Sequence, residues 1–458
     1  MLFRSNKEEK DRGIYLGRLK EGTRIGEEVW YGNKNLHAVT IGPNRSGKGT
    51  GLITTTIATA KRSIICADPK LEQGAITARA RAQRSARDQA GRRVLIINPF
   101  HVLADTLPHL RSHGYNPLAA IDETHDNFTD DSNLTGIAIV KEPLDGNGAF
   151  FGGSAQDWVT CAIMQEKIIN KREGNLARVR KMITQPFTPS GLLKTIIDMT
   201  ESPCEPLRSK AGRFVSGSKS TLDVMSTAIN ETRFLDSPPI QRDLCGPGFD
   251  WDLCKREEVT AYISITADRL ESHGNFLRLI VTSALRTLLR SPPSGKLPPV
   301  LFILDEFAAL GYLPPVENAM GIAAGFGVQF WVILQDLNQL KALYRDRWQT
   351  FIGNAGLITA YAPRDLFTAH YLSDLCGKHI RNVRSRSITG RGDMSWNDTP
   401  HEFNRYRPEE LMRLPPGVML CIATDVPFPF FTFVEGYWKT PYGRGLDPNP
   451  YYRPHNGA

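Results

Sequence analysis

Gly42-Pro-Asn-Arg-Ser-Gly-Lys-Gly-Thr50 is the stretch that decides the fold. A short apolar segment, His37-Ala-Val-Thr-Ile41, precedes it, and the segment 52–58 after it can open a helix. A strand, a glycine-rich loop and a helix N-terminus together direct backbone N–H groups and the helix dipole towards an anion. The pattern predicts a phosphate-binding loop (P-loop) in which Lys48 neutralises phosphate charge. A glycine-rich turn with a stray lysine is the alternative.

The loop departs at one position from the usual pattern G-x-x-x-x-G-K-[ST]. Gly49 stands where a hydroxyl ordinarily helps to bind Mg²⁺, and Thr50 comes one residue later. Thr50 could take that role or a water could fill the position, and the sequence leaves both open. The predicted nucleotide contacts are Gly42, Asn44, Arg45, Ser46, Gly47, Lys48, Gly49 and Thr50.

A second motif, Val300-Leu-Phe-Ile-Leu-Asp305-Glu306, is an apolar strand that ends in two carboxylates. This is the Walker B pattern, in which Asp305 would bind Mg²⁺ directly or through water and Glu306 would polarise the attacking water. An ordinary acidic turn is the alternative, but the P-loop on another strand favours a nucleotide site. We therefore predict ATP and Mg²⁺ as cofactors, with Thr50 and Asp305 as metal ligands.

The segment Trp331-Val-Ile-Leu-Gln335 predicts a further strand with a polar residue at its end. In RecA-like ATPases a polar residue at this place senses the γ-phosphate, so Gln335 joins Lys48 and Glu306 as a predicted catalytic residue. A helix N-cap supplied by Asp336 or Asn338 is the alternative reading of this segment. Asp336 is the preferred candidate for that cap.

Apolar strands alternate with helices along much of the chain, which predicts a parallel sheet with both faces covered. The predicted fold is α/β: a RecA-like P-loop NTPase with a mostly parallel sheet and a small inserted all-α domain. The predicted divisions are a polar lead-in (1–23), the nucleotide-binding domain (24–126 and 236–440), the helical insertion (127–235) and an extended or disordered tail (441–458).

The composition sets broader limits. The 458 residues are 41% hydrophobic and 23% charged, with a net charge of +8, which permits a nucleic-acid partner without requiring one. The seven cysteines form no C-x-x-C pair and fit a reducing compartment. No His/Cys/Glu cluster has the spacing of a zinc site. No apolar run approaches the roughly 18 residues that span a bilayer, so a soluble, cytoplasmic chain is expected.

Two arginine-rich segments are candidates for DNA binding. The first lies on a predicted helix and its exit, where a solvated outer face is the preferred interpretation: Arg79, Arg81, Arg84, Arg87, Arg92 and Arg93. The second, in a predicted polar loop, could track phosphates in a central pore or be a surface loop, and both readings stay open: Arg381, Arg384, Arg386 and Arg391.

Several segments resemble the TraG-type coupling proteins of type IV secretion, from about Gly17 to Trp438. The similar segments are Arg45-Ser-Gly-Lys-Gly49, Asp68-Pro-Lys-Leu-Glu72 with Leu71 in place of a glycine, Tyr115-Asn-Pro-Leu118, Asp305-Glu-Phe-Ala-Ala-Leu-Gly311, Ala324-Gly-Phe-Gly-Val328 and Gln335-Asp-Leu-Asn-Gln-Leu340. The resemblance makes Gly49 a normal feature of one branch of the family.

The resemblance implies a homo-hexameric ATPase at the cytoplasmic face of the inner membrane. It would recruit DNA, a relaxase–DNA complex or protein effectors to the secretion channel and drive their transfer by ATP hydrolysis. Family members usually carry N-terminal transmembrane helices, so membrane contact is expected only through channel partners or a missing anchor. A non-hydrolysing recruitment platform and a cytosolic DNA-translocating ATPase are the alternative functions.

Overall fold

The computed structural model describes residues 11–88, 93–140, 147–388 and 394–452. The strands are β1 (Ile14–Glu21), β2 (Arg24–Tyr31), β3 (His37–Ile41), β4 (Ile64–Ala67), β5 (Arg93–Ile97), β6 (Val259–Ile263), β7 (Val300–Leu304), β8 (Val328–Leu334), β9 (Ala355–Ala360), β10 (Lys378–Ile388), β11 (Met394–Asn404), β12 (Val418–Ala423) and β13 (Phe430–Phe433).

The helices are α1 (Thr54–Thr59), α2 (Glu72–Asp88), α3 (Phe128–Ile139), α4 (Asn147–Asn170), α5 (Leu176–Ile183), α6 (Leu192–Thr200), α7 (Glu205–Gly212), α8 (Lys219–Glu231), α9 (Pro238–Leu244), α10 (Leu270–Leu289), α11 (Pro314–Ala319), α12 (Leu337–Tyr344), α13 (Gln349–Gly353), α14 (Leu366–Leu375) and α15 (Pro408–Leu411). Across the described ranges, no helix combines the length and the apolar character that crossing a bilayer requires.

The chain divides into two compact units. The first takes in the described residues of Met1–Ala60 and Phe330–Arg444, and the second those of Lys61–Gln329 and Gly445–Ala458. Strand β8 begins in the second unit, and its residues from Phe330 onwards belong to the first.

The first unit is built on a sheet with the strand order β2-β1-β13-β12-β9-β3-β8. Strand β3 lies between β9 and β8 and runs parallel to both, whereas the other pairings are antiparallel. All residues of β3, β8 and β9 are buried, which explains why their sequences are mostly apolar. The polar Thr40 is satisfied there, because its hydroxyl accepts from Trp331 Nε1 at 2.8 Å.

The second unit contains a parallel sheet with the strand order β7-β4-β6-β5. All residues of β4, β6 and β7 are buried, as expected for strands covered on both faces. Helix α2 packs on β5 and β6, and the long helix α10 packs against α3.

Helices α3 to α9 form the helical part of the second unit. Helix α4 is its centre: it packs against α3, α5, α7 and α8 and buries Trp158 completely. Arg180 ties the group together, since its guanidinium donates to both carboxylate oxygens of Asp236 at 2.7 and 2.6 Å and to Thr232 Oγ1 at 2.6 Å. The predicted helices in the insertion correspond to α4, α6 and α8, and the limits 127–235 stay a prediction.

The polar lead-in predicted for 1–23 is wrong from Ile14 onwards, while residues 1–10 lie outside the described part. Ile14–Glu21 is strand β1, which pairs antiparallel with β2 and β13. Its first four residues are buried and its last four are exposed or half-buried, so the strand lacks the mostly apolar character by which the central strands are recognised.

The readings of both arginine-rich segments also need correction. Arg81 is buried rather than solvated, and its guanidinium donates to Thr260 Oγ1 at 2.8 Å and to Arg62 O at 3.0 Å. Arg381 and Arg384 lie on strand β10, which pairs with β11 in a two-stranded antiparallel sheet where a loop was predicted. Of the remaining predicted positions, Arg92 and Arg391 lie outside the described residues.

The tail predicted to be extended or disordered is held in place up to residue 452. The N–H of Asp447 donates to Ile76 O at 3.0 Å, and Arg79 Nε donates to Asp447 Oδ2 at 2.7 Å. These bonds attach the segment to α2, so its order depends on contacts distant in sequence. Residues 453–458 lie outside the described part.

Candidate nucleotide-binding site

The P-loop starts as a continuation of the sheet in the first unit. The N–H of Gly42 donates to Leu334 O at 3.0 Å, which extends the pairing of β3 with β8 by one bond. Ser46 N–H then closes a turn on Pro43 O at 3.2 Å. Arg45 and Gly47 have left-handed backbones, with φ of 63° and 93°. Glycine adopts this conformation without a steric penalty, whereas a non-glycine residue such as Arg45 is strained there.

Gly47 precedes a helix whose first turn is unusually wide. Residues Lys48–Ile53 form a π-turn, in which the N–H of Thr54 donates to Gly49 O, five residues back. The hydroxyl of Thr54 donates to the same oxygen at 2.9 Å. A π-turn holds one more residue than an α-turn. This turn could therefore take up one additional residue in the loop, and regular α-helix begins at Thr54.

Lys48 is buried at the start of this helix, with 9% of its surface exposed. Its ammonium donates to Gly42 O at 2.9 Å, so the side chain folds back over the loop. Asn44 and Arg45 are exposed, and Thr50 is half-buried. A phosphate group bound by the loop would meet backbone N–H groups at a helix N-terminus together with a lysine already held beside them.

Gln335 follows β8 at the same edge of the sheet. Leu334 pairs with Ile41, so Gln335 and Gly42 are the first residues after two adjacent parallel strands. The N–H of Gln335 donates to Gln339 Oε1 at 3.0 Å. Asp336 is the N-cap of α12, because its carboxylate accepts from Gln339 N–H at 3.0 Å, which confirms the predicted cap. The γ-phosphate-sensing role of Gln335 stays a prediction.

The Walker B carboxylates lie in the second unit, at the end of the buried strand β7. Asp305 and Glu306 are both half-buried, and Asp305 Oδ1 accepts from the N–H of Glu306 at 3.1 Å. Glu306 has a left-handed backbone, with φ of 52°, and begins a short 3-10 turn in which its carbonyl accepts from Ala309 at 2.7 Å. Such a backbone is uncommon outside glycine and is typical of functional positions.

Asp68 is a third carboxylate at this edge and was not among the predicted site residues. It follows β4, whose last residue Ala67 pairs with Leu304 of β7, so the Asp68 and Asp305 positions are neighbours. Asp68 is 2% exposed and accepts from the N–H groups of Glu72 at 3.0 Å and Gly74 at 2.9 Å. The order of strands, which the sequence does not provide, brings the two aspartates together.

The pKa of Asp68 is raised to about 7, chiefly by burial and also by the negative charges of Asp305 and Glu72. The two backbone N–H donors act against this rise without cancelling it. Carboxyl groups with strongly shifted pKa values are common at functional sites.

The C-terminal segment covers the loop between Asp68 and α2. Asn449 Nδ2 donates to Glu72 Oε1 at 2.6 Å, and the hydroxyl of Tyr451 donates to Lys70 O at 2.7 Å. Asn449 is 5% exposed, so the first of these contacts is shielded from water. The C-terminal segment thus contacts the loop that follows Asp68 at two positions, Lys70 and Glu72.

The predicted residues fall into two sets: the P-loop and Gln335 in the first unit, and Asp305 with Glu306 in the second. In the part of the chain that the structure describes, no three His, Cys, Asp or Glu residues are grouped as a metal site. Mg²⁺ does not need such a group, because it is usually held by one or two carboxylates together with substrate phosphates and water. The metal-binding role of Asp305 stays a prediction.

A glycine loop at a helix N-terminus, a buried strand ending in Asp-Glu and parallel central strands define the class: a RecA-like P-loop protein. The family can also be stated. A family profile described as "Type IV secretory system Conjugative DNA transfer" matches residues 3–427, and the chain belongs to this family. The resemblance noted from the sequence motifs is thereby confirmed.

Curated relatives agree with this assignment. The chain is 26% identical over 377 residues to the protein VirD4 of Rhizobium rhizogenes, a match that covers 79% of this chain and 53% of the relative. It is 25% identical over 397 residues to the conjugal transfer protein TraG of Rhizobium radiobacter, covering 82% of this chain and 59% of that one. The chain therefore spans between half and three-fifths of the length of these relatives.

Solved structures confirm the fold class. The bacterial conjugative coupling protein TrwBdeltaN70, in a trigonal form with sulphate, matches with a TM-score of 0.66 at 16% identity, over 95% of this chain and 97% of that one. The plasmid coupling protein TrwB in complex with the ATP analogue ADPNP matches with a TM-score of 0.65 at 15% identity, over 95% and 97% of the two chains. At this identity the likeness concerns the fold alone.

Proposed function

We propose that this chain is an ATPase of a type IV secretion or conjugation system, which recruits substrates to the channel and drives their transfer by ATP hydrolysis. The observation that carries the proposal is the P-loop of the first unit. Its left-handed Gly47, the helix N-terminus behind it and the buried Lys48 are the parts that bind the phosphates of a nucleotide.

Each predicted residue has a distinct role in this proposal. The loop 42–50 binds the phosphates through backbone N–H groups, and Lys48 exchanges its bond to Gly42 O for a phosphate oxygen. Asp305, with Thr50 or a water, would hold Mg²⁺, and the bound ion would neutralise charge on the phosphates. Glu306 orients and polarises the attacking water, and Gln335 senses the γ-phosphate.

The partners in this proposal are channel components and a DNA, relaxase–DNA or protein substrate. The support is family membership together with relatives described as conjugal transfer and type IV secretion coupling proteins. TrwB has been solved with ADP and Mg²⁺, which supports the same cofactors for this chain. We further propose a homo-hexamer at the cytoplasmic face of the inner membrane, which it reaches through its partners or through an anchor outside this sequence.

ATP turnover tests the proposal on protein of known oligomeric mass, with and without single- and double-stranded DNA. Lys48→Ala should lose nucleotide binding and turnover together. Glu306→Gln should keep ATP binding but lose turnover by about 100-fold or more, because a group that positions or deprotonates water contributes at least that much. Glu271→Gln is a matched control, since Glu271 is an exposed residue of α10.

The outcomes separate the candidate functions. Wild-type turnover in Glu306→Gln would refute its assignment. Tight ATP binding with negligible turnover by the wild-type hexamer, even with DNA and channel partners present, would favour the recruitment platform. Hydrolysis stimulated by DNA supports transfer, whereas association with the chromosome instead of a secretion complex would favour a cytosolic translocating ATPase.

A further inference from the structure

Strands β10 and β11 form a hairpin in the first unit, which we call the arm. They pair from Lys378 with Asn404 to Ile388 with Met394, and they make a two-stranded sheet of their own. Each strand has 11 residues, which corresponds to about 35 Å of extended chain. Residues 389–393, between the strands, lie outside the described part.

The base of the arm is fixed to helix α14. Asn404 Nδ2 donates to Ser373 Oγ at 3.0 Å, and Ser373 Oγ donates to Tyr406 O at 2.5 Å. The N–H of Arg405 donates to Gly377 O at 2.9 Å, which closes the hairpin at its foot. The arm thus starts from an anchored, hydrogen-bonded position.

Beyond its base the arm is exposed. Large apolar side chains along it are open to solvent: Ile380 (69%), Trp396 (62%), Phe403 (43%) and Val383 (39%). An isolated two-stranded hairpin is only marginally stable in water, and a group of exposed apolar side chains typically marks an interaction surface. The arm therefore has the features of a segment that contacts another molecule.

The two faces of the arm differ in charge. Side chains alternate between the faces, and paired residues share one. One face carries Glu402 and Asp398, the two carboxylates among the described residues of the arm, and each lies close to a cation. Lys378 Nζ is 3.4 Å from Glu402 Oε2, and the Arg384 guanidinium donates to the two oxygens of Asp398 at 2.8 and 3.0 Å. The opposite face, here called the ring face, is defined by His379, Arg381, Val383, Thr399, His401 and Phe403.

The ring face combines a row of rings with a cation. The His379 and Phe403 ring centroids are 6.2 Å apart, and those of His401 and Phe403 are 6.4 Å apart. Arg381 pairs in register with His401 and is exposed beside this row. Of the arm residues that define this face, none is acidic, so nothing on the face neutralises the arginine.

We propose that the ring face binds single-stranded DNA. Bases would stack on Phe403 and its flanking imidazoles while Arg381 contacts the phosphate backbone, the combination by which proteins bind single strands without reading sequence. A duplex hides the faces of its bases, and an acidic protein surface would use the charge but not the rings. The proposal rests on the proposed function, because it assigns the DNA contact of a transfer protein to particular residues.

Fluorescence anisotropy with the full chain and a fluorescein-labelled oligothymidylate tests this assignment. Phe403→Ala and Arg381→Gln should each weaken binding about fivefold or more, the lower end of what one stacked base contributes. Arg381→Gln should also reduce the slope of log affinity against log salt by about 0.7, because one phosphate contact is lost. Melting temperatures show whether each variant remains folded.

The arm supplies matched controls on its other face. Trp396→Ala removes an exposed aromatic ring there, and the double change Arg384→Gln with Asp398→Asn removes an ion pair without altering net charge. Arg413→Gln, at an exposed position outside the arm, changes charge by the same amount as Arg381→Gln. All three should bind the oligonucleotide within about twofold of wild type, since none contributes a base contact.

Three results would overturn the proposal: no binding of the oligonucleotide by the wild type, equal losses in ring-face and control variants, or competition by duplex DNA as effective as by single strands. ATP turnover without DNA, measured on the same proteins, keeps the two proposals apart. It should be unchanged in every arm variant. If the wild type lacks turnover but its DNA binding depends on the ring face, the arm assignment stands and the ATPase assignment fails.

Discussion

Replacing Asp68 with asparagine should change the stability of the second unit in a pH-dependent way. Relative to wild type, the variant should be more stable at neutral pH and less stable at acidic pH. Asp68 is buried, accepts two backbone hydrogen bonds at the start of α2, and neighbours the charge of Asp305. Folding therefore holds a carboxyl group where ionisation is unfavourable. Asparagine has nearly the same shape and cannot ionise, so it isolates the electrostatic part of this arrangement.

The magnitude follows from the two pKa values. The folded pKa of Asp68 is about 7, against an ordinary value of 3.8. Below pH 3.8 the carboxyl is protonated in both the folded and the unfolded chain. Between these values the folded protein keeps a proton that the unfolded chain has released, so the free energy of unfolding falls as pH rises. At about 1.4 kcal/mol per pH unit, the loss approaches 4 kcal/mol near neutrality.

Urea unfolding of wild type and Asp68→Asn in metal-free buffer, followed by tryptophan fluorescence from about pH 4 to about pH 8, measures this difference. At the acidic end asparagine should be the less stable, by about 1 kcal/mol, because its NH₂ group cannot accept from one of the two backbone donors. At the basic end the order should reverse. A difference that stays constant across the range would refute the account.

A second variant tests the cause of the raised pKa. Asp305→Asn removes the neighbouring charge but leaves Asp68 buried. The pH-dependent part of the difference should become smaller in that background without disappearing, because burial is the larger cause. An unchanged difference would show that Asp305 does not act on Asp68.

Three further predictions concern the loop, its packing and the tail. Deleting Gly49 should restore the usual Gly-Lys-Thr order and preserve Mg²⁺-dependent nucleotide affinity, which isothermal titration calorimetry would measure. Loss of nucleotide binding would contradict the proposal that the π-turn takes up an extra residue. Gly51→Ala should destabilise the first unit by about 1–3 kcal/mol, because its Cβ would lie 2.4 Å from Val434 Cγ1. Gly26→Ala, where the nearest atom is at 3.7 Å, is the control in the same melting experiment. Asn449→Ala should speed amide hydrogen exchange in 447–452, and unchanged exchange would show that the contact with Glu72 does not hold the tail.

The parts of the fold that were predictable are those whose signals are local. β3, β7 and β8 are mostly apolar, since they are buried on both faces, and each is followed by a recognisable motif. The P-loop and the Walker B pair follow directly from such strands. The cap of α12 was predictable for the same reason, because Asp336 and the N–H that it accepts from are three residues apart.

The parts that were missed depend on distant partners. The arm is exposed on both faces, so its strands show no alternation that would separate them from a polar loop. The tail is held by Arg79, Ile76 and Glu72, more than 360 positions away. Asp68 is buried and has Asp305 as a neighbour because β4 lies beside β7, an arrangement that follows from the strand order of the folded sheet.

The wide first turn at Lys48–Ile53 has a consequence for how this loop can change in evolution. An added residue in an α-helix ordinarily rotates everything after it by about 100°, which would turn the buried face of α1 outwards. In this loop an added residue would be confined to the wide turn, and Ile57, which follows it, is fully buried. A one-codon insertion beside the nucleotide can therefore be tolerated while the sheet beneath it keeps its packing. At this position the length of the loop can therefore change without a change in the packing of the core.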